Sequence, residues 1–152
     1  MKKITFKEHI NAPVQIVYDT MLGINDIKTY EEWTSQFNPT STYEGLWKKG
    51  ETMYFIGTDD SGKRGGMISE IVENIANKFV SIKHYGIVDG DQEITSGEQV
   101  ESWAGSLENY YFEDINGSTT VIIELDVDEN YLDYFSDTWP KALKKLKELA
   151  EG

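Results

Sequence analysis

Between positions 3 and 11, Ile4, Phe6 and Ile10 share one parity while Thr5, Lys7 and His9 take the other. That alternation predicts a half-buried strand. Asn11-Ala12-Pro13 breaks it, and a proline there suits the first turn of a helix. Val14, Val17, Tyr18, Met21 and Leu22 then recur at helical spacing until Gly23 stops them. Asp26 offers an N-cap for a second short helix running to Trp33. Alternating or β-branched and aromatic stretches follow at 41–46, 51–57, 66–72, 78–85, 98–113 and 118–127. Turn chemistry separates them, and Asn116-Gly117 between the last two is the strongest hairpin signal in the chain. From Tyr131 to Gly152, Leu132, Phe135, Trp139, Leu143, Leu146 and Leu149 form one stripe at spacings of three and four. Lysines 141, 144, 145 and 147 and Glu148 occupy the other face, so a long amphipathic helix closes the chain. Pro140 marks either the start of that helix or a kink in it.

Short turns between consecutive strands imply a bent antiparallel meander, with the helices gathered on its concave side. The expected fold is therefore α+β, a curved antiparallel sheet wrapped around the long C-terminal helix, with two short helices after the first strand. A chain of 152 residues with no linker or repeat is expected to form one domain, residues 1–152.

Composition narrows the function. There is no cysteine, which rules out disulfides, thiolate catalysis and cysteine-based metal sites. No apolar run follows Lys2 and Lys3, so neither a signal peptide nor a membrane span is expected, and the expected location is cytoplasmic. The net charge of −13 disfavours both nucleic acid and anionic membrane surfaces as partners.

Three local motifs fail on their chemistry. The stretch from Gly57 to Arg64 approximates a phosphate loop, but Arg64 stands where a hydroxyl is needed, and Asp59 and Asp60 would repel phosphate. A hairpin turn explains it better. Asp126-Val-Asp128-Glu-Asn130 begins like a calcium loop, yet Tyr131 replaces the turn glycine and Asp137 the bidentate glutamate. These acids are better placed to complement a helix N-terminus. Asn116-Gly-Ser118 is a glycosylation sequon only in a secreted chain. His9 and His84, the two histidines, sit in strands and have no ligand spacing around them, so no metal and no cofactor are implied. Glu98, Glu101, Glu108, Glu113 and Glu124 read as a solvated strand face, with a buried acid–base pair as the alternative. The aromatic content is high, at four tryptophans, nine tyrosines and six phenylalanines. Core packing accounts for most of it, while the polar tips suit an apolar cavity that needs a few hydrogen bonds.

Several patterns together resemble a known family. They are Ile10-Asn-Ala-Pro13-Val leading into a helix with Val17 and Tyr18, Trp33 within Tyr30-Glu-Glu-Trp, and Lys49-Gly50-Glu before a strand. Gly66-Met-Ile-Ser-Glu-Ile-Val-Glu leads to Lys78-Phe-Val-Ser-Ile, Asn116-Gly117 joins two strands, and Trp139, Leu143 and Leu146 close the chain. On these grounds the chain resembles the START/Bet v 1-like (SRPBCC) superfamily, and within it the bacterial homologues of the C-terminal domain of the Hsp90 ATPase activator. Pro140 departs from the usual pattern. The resemblance implies a helix-grip fold with a cavity between sheet and C-terminal helix. Functions on this fold vary widely, so the fold alone names none. The first expectation is binding of a small hydrophobic or amphipathic ligand, with Tyr54, Ile56, Ile82, His84, Trp103, Tyr110, Phe112, Phe135 and Trp139 as its wall. A polyketide-cyclase-like enzyme using His84, a tyrosine or a buried glutamate ranks second, and a chaperone-binding module third. Exposed sheet edges leave monomer and dimer both open.

Overall fold

The computed structural model covers residues 1–152. One antiparallel sheet of eight strands organises it. The elements run β1 (Lys2–Ile10), α1 (Val14–Leu22), α2 (Ile27–Thr34), β2 (Thr42–Glu44), β3 (Thr52–Thr58), β4 (Arg64–Ile75), β5 (Phe79–Asp89), β6 (Gln92–Ile94), α3 (Glu98–Glu101), β7 (Ser106–Ile115), β8 (Ser118–Val127) and α4 (Leu132–Glu151). The strand order is β1-β8-β7-β5-β4-β3-β2, with the short β6 also paired to β5. The first strand thus lies beside the last, Phe6 opposite Ile123. This is the expected helix-grip α+β architecture.

Local chemistry places the helices. Asp26 caps α2 by accepting from the Lys28 amide, and Gly23 ends α1 in the left-handed region at φ 68°. The last carbonyls of α1 have no intrahelical amide to meet. Aromatic side chains meet them instead: the Trp33 indole donates to Met21 O (2.9 Å), and the Trp47 indole (2.9 Å) and Tyr43 phenol (2.7 Å) both donate to Leu22 O. The end of α1 is thereby tied to α2 and to the β2–β3 region. Gly66 sits at φ +149°, and a β-carbon there would lie 2.0 Å from the Phe55 carbonyl, so only glycine lets β3 and β4 approach so closely.

Residues 98–113, expected as one strand, divide in two. Glu98–Glu101 forms a helical turn, and Gly105 at φ +93° turns the chain into β7 at Ser106. Pro140 neither starts nor breaks α4, which runs through it as one helix behind a 3-10 turn at Glu129–Tyr131. A proline inside a helix forfeits one amide bond. Here it directly follows Trp139, which is buried against Trp33 and Phe37. Asp59 closes the β3–β4 hairpin by accepting from the Ser61 and Lys63 amides, as expected for a turn and not a phosphate loop. Asp128 caps the 3-10 turn through the Asn130 amide.

The main core lies between the inner sheet face and the helices, where α4 contributes Trp139, Ala142, Leu143 and Leu146. A smaller buried group, Ile68 and Val88, lies on the opposite face. There the segment after β6 packs so closely that a side chain at Gly86 would meet Thr95 and Ile68. Leu146 is fully buried in the main core. Leu146→Ala is expected to lower the unfolding free energy by about 2–5 kcal/mol, read from urea denaturation. A loss below about 1 kcal/mol would mean that α4 does not carry the core.

Candidate functional site

Two irregularities aim the inner face of the sheet. Between β4 and β5 the partner of Ile68 is Gly86, but the partner of Ser69 is His84, so Tyr85 bulges out of the ladder. A bulge inserts one residue and reverses the parity beyond it. Ile82 and His84 therefore point inward on one side of it and Ile87 on the other, all three lining the same space. The second irregularity is the interrupted neighbour of β5. It pairs with β7 as far as His84 and with β6 from Ile87 onward, and the intervening segment carries Trp103 to the rim.

The space so framed is a cavity of about 750 Å³ between the sheet and α4, within the range of small-molecule sites. Its apolar surround is aromatic. Tyr30 and Trp33 come from α2, Phe55 from β3, and Phe135 and Trp139 from α4, with Phe37 from the loop after α2. Neighbouring rings meet edge-on or tilted, Trp33–Trp139 at 5.7 Å and Phe37–Trp139 at 5.1 Å between centroids.

A chain of four polar side chains runs along the sheet side of this cavity. Ser69 Oγ lies 2.6 Å from His84 Nδ1, and His84 Nε2 lies 3.0 Å from Glu108 Oε1. The Tyr110 phenol donates to Glu108 Oε2. His84, Glu108 and Tyr110 line the cavity; Ser69 does not, being wholly buried behind the imidazole. This order resembles a serine–histidine–acid triad in composition only, because a nucleophile must reach substrate and Ser69 cannot. Burial pushes the Tyr110 phenol well above its usual 10.0, and the adjacent Glu108 charge adds to that. Tyr30 is raised in the same way, by burial first and Glu108 second. At the mouth, burial pushes the Asp126 carboxyl up, but the Leu107 amide and the Lys3 ammonium outweigh it and hold the group below the usual carboxylate range.

Of the residues expected on the wall, Ile82, His84, Trp103, Tyr110, Phe135 and Trp139 border the cavity. Three do not. Tyr54 and Ile56 belong to the outward parity of β3, where the Tyr54 phenol donates to Glu93 (2.9 Å), and their inward neighbour Phe55 takes the wall position. Phe112 points inward but is sealed beneath α1, edge-on to Tyr18 at 5.4 Å. Glu108 was expected on a solvated face and instead joins the polar chain. The signal for it is parity: Glu108 alternates with Tyr110 and Phe112 on one strand, and Gly105 precedes that strand altogether. His9 lies at the surface near Thr120, and no cluster of three or more histidine and acidic side chains able to hold a metal ion is present.

No family model matches the chain, and neither does any curated protein. Solved structures do match over nearly its whole length. The dimeric Aha1 of Colwellia psychrerythraea, known from a solution structure, is 19% identical, with 99% of this chain and 97% of that one covered and a TM-score of 0.70. An AHSA1-like protein from Aeromonas hydrophila is 15% identical over 99% of this chain and 92% of that one, at a TM-score of 0.71. Protein NE0264 from Nitrosomonas europaea is 13% identical over 98% and 94%, at a TM-score of 0.72. At such identities the likeness is one of fold: this chain has the fold of the AHSA1-like proteins.

The raised phenols carry a pH signature. A group held neutral by the native state lends stability below its unfolded pKa, and that stability is lost as pH rises towards the folded value. Tyr30 and Tyr110 are therefore expected to ionise only together with unfolding, above pH about 10. Absorbance at alkaline pH, followed alongside circular dichroism, checks this. Reversible ionisation of all nine tyrosines in a folded protein would contradict it.

Proposed function

We propose that the protein binds one small amphipathic molecule in the cavity between sheet and α4, apolar body against the rings and polar end against the His84–Glu108–Tyr110 group. The observation that carries this reading is a large cavity whose wall is predominantly aromatic and aliphatic, with one connected polar group on a single side. A chamber of this kind gives a ligand both affinity and orientation. Burying about 200–300 Å² of apolar surface is worth several kcal/mol at roughly 25 cal/mol per Å². The polar chain fixes which end goes in first. Binding is favoured over catalysis because the one hydroxyl the imidazole could activate, that of Ser69, is sealed behind it. The fold likeness to AHSA1-like proteins is compatible with a binding or interaction module and adds no ligand of its own.

The neutral fluorophore N-phenyl-naphthylamine tests the reading. It is expected to bind one to one, with emission rising on entry and with quenching of the cavity-lining tryptophans Trp33, Trp103 and Trp139. Phe135 is only half-buried on the wall, so Phe135→Asp should leave the fold intact and weaken the probe at least roughly tenfold by placing a charge on an apolar surface. Probe affinity unchanged in the folded variant would place the site elsewhere.

A further inference from the structure

We propose that the cavity selects an organic cation, an amphiphile with a protonated or quaternary ammonium head that sits beside Glu108 among the aromatic rings. The inference rests on the ligand-binding reading above and names the chemical class of the ligand.

The hydrogen-bond pattern counts the protons. Ser69 is 0% exposed, and the only partner of its hydroxyl is His84 Nδ1. A buried hydroxyl must donate to something, so its proton points at Nδ1, which accepts it with a free lone pair. The imidazole proton is then on Nε2 and is donated to Glu108 Oε1. The other oxygen, Oε2, receives the Tyr110 phenol. Each bond is satisfied by a neutral imidazole and an ionised carboxylate. If His84 were protonated at both nitrogens, the Ser69 hydroxyl would lose its acceptor. The group therefore carries one net negative charge, with its two donors spread around the carboxylate and no cation against it.

The one cation bordering the cavity, the Met1 ammonium, acts on Asp126 at the mouth and forms no ion pair with Glu108. No lysine or arginine lines the cavity, and its other acids, Asp126 and Asp128, are at the mouth, where Lys3 pairs with Asp126 and the Asn130 amide occupies Asp128. The remaining surfaces suit a positive head. Aromatic faces attract cations, most strongly where water is excluded. Tyr30 lies close enough to Glu108 for that charge to act on its phenol, Tyr110 bonds it directly, and Phe55 stands 6.2 Å from the His84 ring. An anionic amphiphile such as a fatty acid would meet the Glu108 carboxylate at low dielectric, with no lysine or arginine on the wall beside it. The net charge of −13 acts in the same direction at long range, drawing cations to the mouth.

Three molecules with one apolar body and different heads decide it: phenylbutylamine, phenylbutanol and phenylbutyrate, each displacing N-phenyl-naphthylamine near neutral pH. The expected order is amine, alcohol, acid, with the amine effective at about tenfold lower concentration than the alcohol. Glu108→Gln keeps the shape and removes the charge, and it should bring amine and alcohol together within about twofold. If that variant does not fold, the order in the unaltered protein decides alone. Equal or tighter binding of the alcohol or the acid, in a protein that still takes up the neutral probe, overturns the ammonium class while leaving the cavity reading standing. Failure of the neutral probe itself to bind overturns both.

Discussion

An eight-stranded curved sheet has more inner face than one helix can cover, and the rest of the structure depends on that mismatch. α4 lies along β1 and against α1 and α2, and it seals the sheet where Val121, Ile123 and Phe112 meet the helices. Toward the mouth, Ile82, His84, Glu108 and Leu125 face open space. A core filled by side chains leaves few voids larger than a water molecule. A space of about 750 Å³ is therefore a feature of the architecture and not a packing fault. The aromatic rings on α2, β3 and α4 brace its walls against collapse, since they pack on one another as well as facing the space.

The polar chain depends on the same frame. Ser69, His84 and Glu108 come from three adjacent strands, and the bulge at Tyr85 brings the imidazole opposite the serine. Without that extra residue, Tyr85 would face inward at this level and His84 would point away. A single backbone irregularity thus determines whether the imidazole joins Glu108 and Tyr110 on the polar side of the cavity. The serine behind the histidine occupies Nδ1 as an acceptor, which keeps the imidazole neutral with its proton on Nε2 toward Glu108.

Much of the fold was legible in the sequence because its signals are local. Pro13, Gly23 and Asp26 punctuate α1 and α2 where the structure does, Asn116-Gly117 makes the β7–β8 hairpin, and the stripe from Leu132 to Leu149 is α4. The failures were of two physical kinds. Glu98–Glu101 and Pro140 are governed by tertiary packing that overrides local preference. The cavity wall depends on strand parity, and parity is lost at any bulge or break that the sequence does not mark. Tyr54 and Ile56 lie one position out of phase with the inward Phe55, and Glu108 reads as solvated because a glutamate on a strand is more often exposed than buried. The pairing of Ser69 with His84 joins two strands through an unmarked bulge, and no spacing in the chain could have shown it.

In the binding reading proposed above, a small molecule occupies the space between sheet and α4. Intermolecular nuclear Overhauser effects between N-phenyl-naphthylamine and the isotopically labelled protein test it most directly. Contacts from the probe to Phe55, Tyr110, Phe135 and Trp139 together are expected, a set that only a molecule inside the cavity can make. Contacts confined to the exposed apolar residues Ile24 and Leu46 on the outer surface would contradict it and assign the binding to that surface.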